Sequence, residues 1–330
     1  MTIPAEKGQI VRNTETGKSE SLAALSADST VLSSYLTSSS EFYDANTIPI
    51  QDTIWNPETG EFVLEFQTTK DNQAYEGLCH GGFTAMLLDS IARLPILSTK
   101  YNTEDFADEL SIKYMRKVEV GATIRVTGKI DSADEKHAKI SAHIVDVSKP
   151  TKVLARGHLS IDKKTQSNVP AQPEDKLEHT RGKSLRDLSK EHIMLNDYLL
   201  SSHEFYRVNN IPINDAVWNE ETGELIMDVE TSSLNQGEEG VCQVGYILTL
   251  LDSIAGFPVF LRSINEDKIA LSNELSIRSF GKIKVGTKIR VVGKIQSIDS
   301  KKSTSSAIII NMSDASREVL AEGNLTMNII

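Results

Sequence analysis

The stretch that decides the fold is GLCHGGFTAMLLDSIARLP, residues 77–95, because the chain repeats it as GVCQVGYILTLLDSIAGFP at 240–258. Cys, Leu-Leu-Asp-Ser-Ile-Ala and Pro stay in step, while His80 becomes Gln243 and Gly81 becomes Val244. The repeat reaches outward from there. YLTSSSEFYDANTIPIQDTIWNPETGEFVLEF (35–66) matches YLLSSHEFYRVNNIPINDAVWNEETGELIMDV (198–229), with Tyr35/Tyr198, Trp55/Trp218 and Asp89/Asp252 all 163 residues apart. VGATIRVTGKI (120–130) matches VGTKIRVVGKI (285–295) at an offset of 165, so two extra residues fall between the anchors, most simply in the loop near 98–106. A period this long is domain-sized, far beyond a solenoid unit of roughly 20–50 residues. The expected organisation is a disordered segment over 1–29, one domain over 30–165, a polar linker over 166–192 and a second domain over 193–330.

Within each copy the hydrophobic period changes. A short helix is expected near 31–43, then a Thr-Gly turn, a strand at 61–67 and a helix over about 81–99 rich in Leu, Ile, Met and Ala. Period two follows: Ile124, Val126 and Ile130 share a face, as do Ile140, Ala142 and Ile144, and Val153, Ala155, Leu159 and Ile161. Such alternation marks half-buried strands. The apolar helix is their natural cover, so each copy reads as a long helix wrapped by a curved antiparallel sheet, an α+β arrangement.

Bulk properties narrow the function. The 330 residues carry a formal net charge of −11, which argues against a nucleic-acid partner. No apolar run in the sequence reads as a membrane span. The first twenty residues lack a secretory apolar stretch and include three glutamates, so the cytosol is expected, with mitochondria ranked second. Cys79 and Cys242, the two cysteines, occupy equivalent places and read as small packers. Trp55 and Trp218 read as packing anchors. His137, His143 and His158 lack metal-ligand spacing, so no metal and no cofactor are expected.

The chemistry concentrates at the head of the helix. First-turn N–H groups lack internal partners and carry partial positive charge, and glycine admits a close ligand. His80-Gly81-Gly82 could therefore seat an oxyanion, or the glycines could simply permit a tight strand-to-helix junction. Asp89 and Asp252 each lie in an apolar helical run, where a carboxylate is costly unless paired or used. Gly81 and Asp89 are eight residues apart, roughly 12 Å at about 1.5 Å per residue. They cannot serve one reacting carbon, whereas two antiparallel central helices would bring the head of one beside the Asp of the other.

These residues resemble the His-Gly-Gly-…-Asp signature of hotdog-fold acyl-CoA thioesterases. HGGFTAMLLD carries the likeness in the first copy, and NQGEEGVCQVGYILTLLD (235–252) resembles the pattern of the thioesterase superfamily member 4 group except at Gln243 and Val244. The resemblance implies two tandem hotdog folds forming an intrachain pseudo-dimer that hydrolyses an acyl-CoA or related thioester. It implies Gly81 N–H on the carbonyl with His80 beside it, Asp252 as base or nucleophile, and Ser272 holding water. The other composite site would keep Asp89 but join it to Gln243, Val244 and Ala107, and be weak or merely binding. Gly82, Asn235, Gln236 and Gln243 are the expected substrate-binding residues. Lys113, Arg116, Arg278 and Lys282 could meet CoA phosphates or form a solvated face. Self-association of double-hotdog chains is a further implication. A non-catalytic acyl-thioester scaffold and a dehydratase or hydratase pairing His80 with Asp252 stand as alternatives.

Overall fold

The computed structural model describes residues 19–99, 106–134, 136–163, 182–264, 266 and 268–330. Among these residues, one antiparallel sheet of fourteen strands is close to a palindrome. From one edge its order is Glu20–Ser21, Ile54–Asn56, Glu61–Gln67, Thr123–Ala133, His137–Asp146, Val153–Lys163 and Phe106–Tyr114. Ala270–Ser279, Val319–Ile329, Lys302–Asn311, Lys288–Ile298, Glu224–Glu230, Val217–Asn219 and Lys183–Ser184 then retrace the series. The halves meet where Phe106–Tyr114 pairs with Ala270–Ser279, and there Ser111 faces Ser276, its own counterpart at the offset of 165. A second self-pair lies at Asn46 and Asn209, whose side-chain amides exchange hydrogen bonds of 3.1 and 2.9 Å. The two pairs mark an approximate twofold axis relating the halves.

Each half wraps its sheet around one apolar helix, Gly81–Leu97 or Val244–Ile264. Both helices are buried nearly all round, as helices apolar on every face must be. The second has the length and composition to cross a membrane, contrary to the sequence-based expectation of no such run, but 89% of its apolar window is buried inside the protein. Most residues that the alternation selects face inward, including Ile124, Val126, Ile140, Ala142 and Ile144, while Ile130 is half-buried. Val153 departs from that phase because a bulge shifts the register at Ile144/Val145, so Leu154 as well as Ala155 is buried. Gly128 sets the helix–sheet distance: a Cβ there would lie 2.7 Å from the Ile91 carbonyl oxygen.

Three expectations need adjustment. The described part of 1–29 is ordered structure, with strand Glu20–Ser21 and helix Leu22–Ala27, whose Leu22 and Leu25 are buried. Strand Lys183–Ser184 and helix Leu185–Ser189 repeat this inside the expected linker, burying Leu185 and Leu188. Two apolar residues three apart, behind a Ser N-cap, suffice to dock one short turn. The expected helix near 31–43 is two helices, Thr30–Ser38 and Ser40–Ala45, interrupted at Ser39. The expected insertion near 98–106 lies largely outside the described residues.

Candidate active site

The two central helices cross head to middle, and glycine makes that possible. A Cβ on Gly82 would stand 3.0 Å from Thr249 Cα, and one on Gly245 would stand 2.8 Å from Met86 Cγ. Met86 and Thr249 are equivalent positions, each three residues before the Asp of its helix. Each helix head therefore arrives beside the other helix's Asp.

At the head of Gly81–Leu97 the structure brings His80, Gly81, Asp252 and Ser272 together. A Cβ on Gly81 would lie 3.0 and 3.2 Å from the two Asp252 carboxylate oxygens and 3.4 Å from Ser272 Oγ. His80 is the helix N-cap, and its Nδ1 accepts the Gly82 N–H at 2.9 Å. The other ring nitrogen, Nε2, faces Tyr206 Oη at 2.9 Å and Tyr198 Oη at 3.2 Å, which places the imidazole proton on Nε2. Phe205 stacks on the ring at 4.4 Å. His80 Nδ1 and Asp252 Oδ2 are 3.5 Å apart, yet they do not form an ion pair. Nδ1 is already an acceptor, and burial pulls the imidazole pKa down to about 3, so His80 is neutral.

Asp252 is the unusual group. Burial raises its pKa to about 7, against the lowering effects of the Gly82 N–H and the Ser272 hydroxyl. Its Oδ1 is buried and has no hydrogen-bond partner among the described residues. The Gly81 N–H, first of its helix, also lacks one among them. A carboxylate poised near neutrality and an open backbone donor thus face one space. That space is a cavity of about 330 Å³, lined by His80, Gly81 and Asp252 and, one to two turns further along the second helix, by Gly256, Phe257 and Phe260. Exposed Arg116 and Lys117 stand on its lining.

The mirror location is different. Asp89 is fully buried, and both its oxygens accept from Arg93 Nε, at 2.9 and 3.0 Å. Gln243 replaces His80 and donates to Tyr35 at 2.6 Å and Tyr43 at 2.8 Å, the counterparts of Tyr198 and Tyr206. The remaining hollow, which Gln243 and Arg93 line, is about 80 Å³. The Ala107 side chain lies outside the described residues.

Three expected substrate-binding residues are instead consumed by the scaffold. Gly82 packs under Thr249. Asn235 is buried, with its amide donating to Asn209 O and its Oδ1 closing a capping box with Ser232. Gln236 donates to Ser38 O and accepts the Gly240 N–H. The first copy holds the same pair, Asn72 and Gln73, in the same roles: Asn72 donates to Asn46 O, and its carbonyl accepts the His80 N–H at 2.7 Å. Asn-Gln is thus part of both copies, as KDNQ against SLNQ already indicates. Cys79 and Cys242 are protonated thiols, pushed up to about 12 and about 11 by burial. Of the expected phosphate contacts, Arg116 reaches the larger cavity, whereas Lys282 is paired with Glu238 at 2.7 Å.

A helix clasped by a curved antiparallel sheet, twice over and joined edge to edge, is a double hotdog. No family model matches the chain. Acyl-coenzyme A thioesterase 13 of Homo sapiens is 27% identical over 71 residues, which is 22% of this chain and 51% of that protein, and its Pongo abelii namesake matches equally. The chain thus spans about half the length of the curated relatives it matches. Among solved structures, a protein assigned as a thioesterase II from Thermobifida fusca aligns with TM-score 0.57 at 11% identity, over 87% of this chain and 98% of that one. A hot dog fold protein of unknown function from Alicyclobacillus acidocaldarius gives 0.54 at 7% identity, over 82% and 93%. The 12:0-ACP thioesterase of Umbellularia californica gives 0.50 at 9% identity, over 82% and 98%.

Proposed function

We propose that the protein hydrolyses an acyl thioester, such as an acyl-CoA, at the single composite site built from the head of Gly81–Leu97 and Asp252. The observation that carries this reading is the placement of buried Asp252, with a pKa of about 7, against Gly81 at the open end of a long helix. In the reaction, the thioester carbonyl oxygen accepts the Gly81 N–H, where the helix end favours growing negative charge. Asp252, ionised, takes a proton from water held with Ser272 as that water attacks the carbonyl carbon, or attacks the carbon itself. Collapse breaks the C–S bond, and the thiolate leaves with the proton that Asp252 took from water; on the nucleophilic route the acyl–Asp252 anhydride is then opened by water, which supplies the thiolate's proton and frees the carboxylate. His80 serves as a neutral cap that fixes the Gly81–Gly82 turn. With both ring nitrogens engaged inside the protein, it is poorly placed for the acid–base role a hydratase would need.

Arg116 and Lys117 put positive charge where a CoA phosphate would stand. The thioesterase names of the structural and curated relatives support the same chemistry. The Asp89 site, neutralised by Arg93, is proposed to be inactive. Two free cysteines, buried or half-buried, suit the proposed cytosolic location.

The test is release of free thiol from a panel of acyl-CoAs, followed with a thiol reagent. Wild type should release CoA from at least one member, and Asp252→Asn should not. Equal release by wild type and Asp252→Asn would remove Asp252 from the mechanism, and an enoyl-CoA absorbance change without thiol release would favour hydration.

A further inference from the structure

The geometry points to Gly256 as the residue that sets how long an acyl group the Asp252 site accepts. This inference rests on the proposed thioesterase reading and adds to it the direction and depth of the acyl channel.

Gly256 sits in the interior of Val244–Ile264, where glycine costs helix stability relative to alanine. Packing does not require it there. A Cβ would meet only Leu325 Cδ2 at 3.5 Å, Met327 Cε at 3.9 Å and Met327 Sδ at 4.0 Å, all ordinary contacts. Gly128 and Gly293 differ, since a Cβ on either would run into a helix carbonyl. What Gly256 borders is the 330 Å³ cavity.

The first copy shows what a side chain does at this position. Its residue is Arg93, 163 earlier, which folds over Asp89, and the hollow there is about 80 Å³. Neighbouring walls diverge with it. The larger cavity has Tyr75, Phe257 and Phe260, where the matching positions of the other copy hold Glu238, Leu94 and Leu97. Tyr198 packs against three of these rings, at centroid distances of 4.9 Å to Tyr75, 5.4 Å to Phe257 and 5.1 Å to Phe260.

Asp252, Gly256 and Phe260 follow at i, i+4 and i+8, so they share one helix face. Gly256 lies about 6 Å along the axis from Asp252 and Phe260 about 12 Å. A two-carbon acyl group held at Asp252 ends before Gly256. A ten-carbon chain runs past it toward the aromatic wall. The ligand class is therefore an apolar acyl group longer than acetyl, carried as a thioester.

The experiment compares wild type, Gly256→Ala and Gly256→Leu for binding of two non-hydrolysable thioethers, S-ethyl-CoA and S-decyl-CoA, and for hydrolysis of acetyl-CoA and decanoyl-CoA. For Gly256→Leu, S-decyl-CoA affinity and decanoyl-CoA kcat/KM should fall about tenfold or more, with the ethyl and acetyl values within about twofold of wild type. Gly256→Ala should lie between. Equal loss for short and long ligands, no loss for the long one, or failure of wild type to bind S-decyl-CoA would each overturn the inference. Length-dependent binding without any thiol release would keep Gly256 in this role and instead refute the hydrolase reading.

Discussion

Gly81 and Asp252 are 171 residues apart in the chain, yet a single methyl group added to Gly81 would fall 3.0 Å from one Asp252 oxygen and 3.2 Å from the other. What crowds a side chain there is the carboxylate of the other copy's helix, not the glycine's own backbone. Gly81→Ala should therefore displace Asp252 while leaving the helix intact. Thiol release should drop by about 10²–10³, the scale of a displaced general base, with the melting temperature nearly unchanged. Steady-state kinetics and thermal denaturation of the variant check both halves of this expectation.

The Asp252 pKa of about 7 has two readable consequences. Activity needs the ionised form, so kcat/KM should rise with pH through an apparent pKa near 7. Stability runs the other way. The folded pKa lies above the unfolded value of about 3.8, so the folded state holds the proton more tightly. Stability from this group is complete below about pH 3.8 and is lost as pH rises to about 7, by up to about 4 kcal/mol. Asp252→Asn removes that loss. Denaturant unfolding should show the variant gaining on wild type between pH 4 and pH 8, and a constant difference across that range would contradict the assigned pKa.

Asp89 and Arg93 form the opposite case, a buried carboxylate with a built-in cation. Arg93→Ala strands a carboxylate that is fully buried and should cost about 3–5 kcal/mol. Asp89→Asn should cost less, because the Arg93 side chain is 15% exposed and can turn to water. Adding Asp89→Asn to Arg93→Ala should recover part of the loss. A double variant as unstable as the sum of the two singles would show that the residues do not act as a pair.

Tyr206 holds the proton-bearing side of His80. Tyr206→Phe keeps the ring and leaves only the longer contact to Tyr198, so it should lower stability by about 1 kcal/mol and thiol release only modestly. A loss as large as that of Asp252→Asn would place Tyr206 in the chemistry itself.

Much of this arrangement is legible in the chain. The switch from helical to alternating periodicity gives the helix-and-sheet unit, and the eight-residue gap from Gly81 to Asp89 demands a partner from the other copy. The His80 surroundings are harder, since Tyr198 and Tyr206 come from 118 and 126 residues away and nothing local links them to it. Arg93 was readable: LLDSIARLP against LLDSIAGFP sets an Arg four residues after one Asp and a Gly after the other, the spacing of an i,i+4 ion pair. That one difference separates a neutralised carboxylate from one facing a cavity. Asn235 and Gln236 misled for a related reason, because a polar motif beside a site looks the same in sequence whether it contacts ligand or caps a turn.

The most direct test compares Asp252→Asn with Asp89→Asn in the same thiol-release assay, on the best acyl-CoA found for wild type. One composite site predicts that Asp252→Asn abolishes release while Asp89→Asn stays within about threefold of wild type. Comparable losses in both variants, or loss in Asp89→Asn alone, would contradict it.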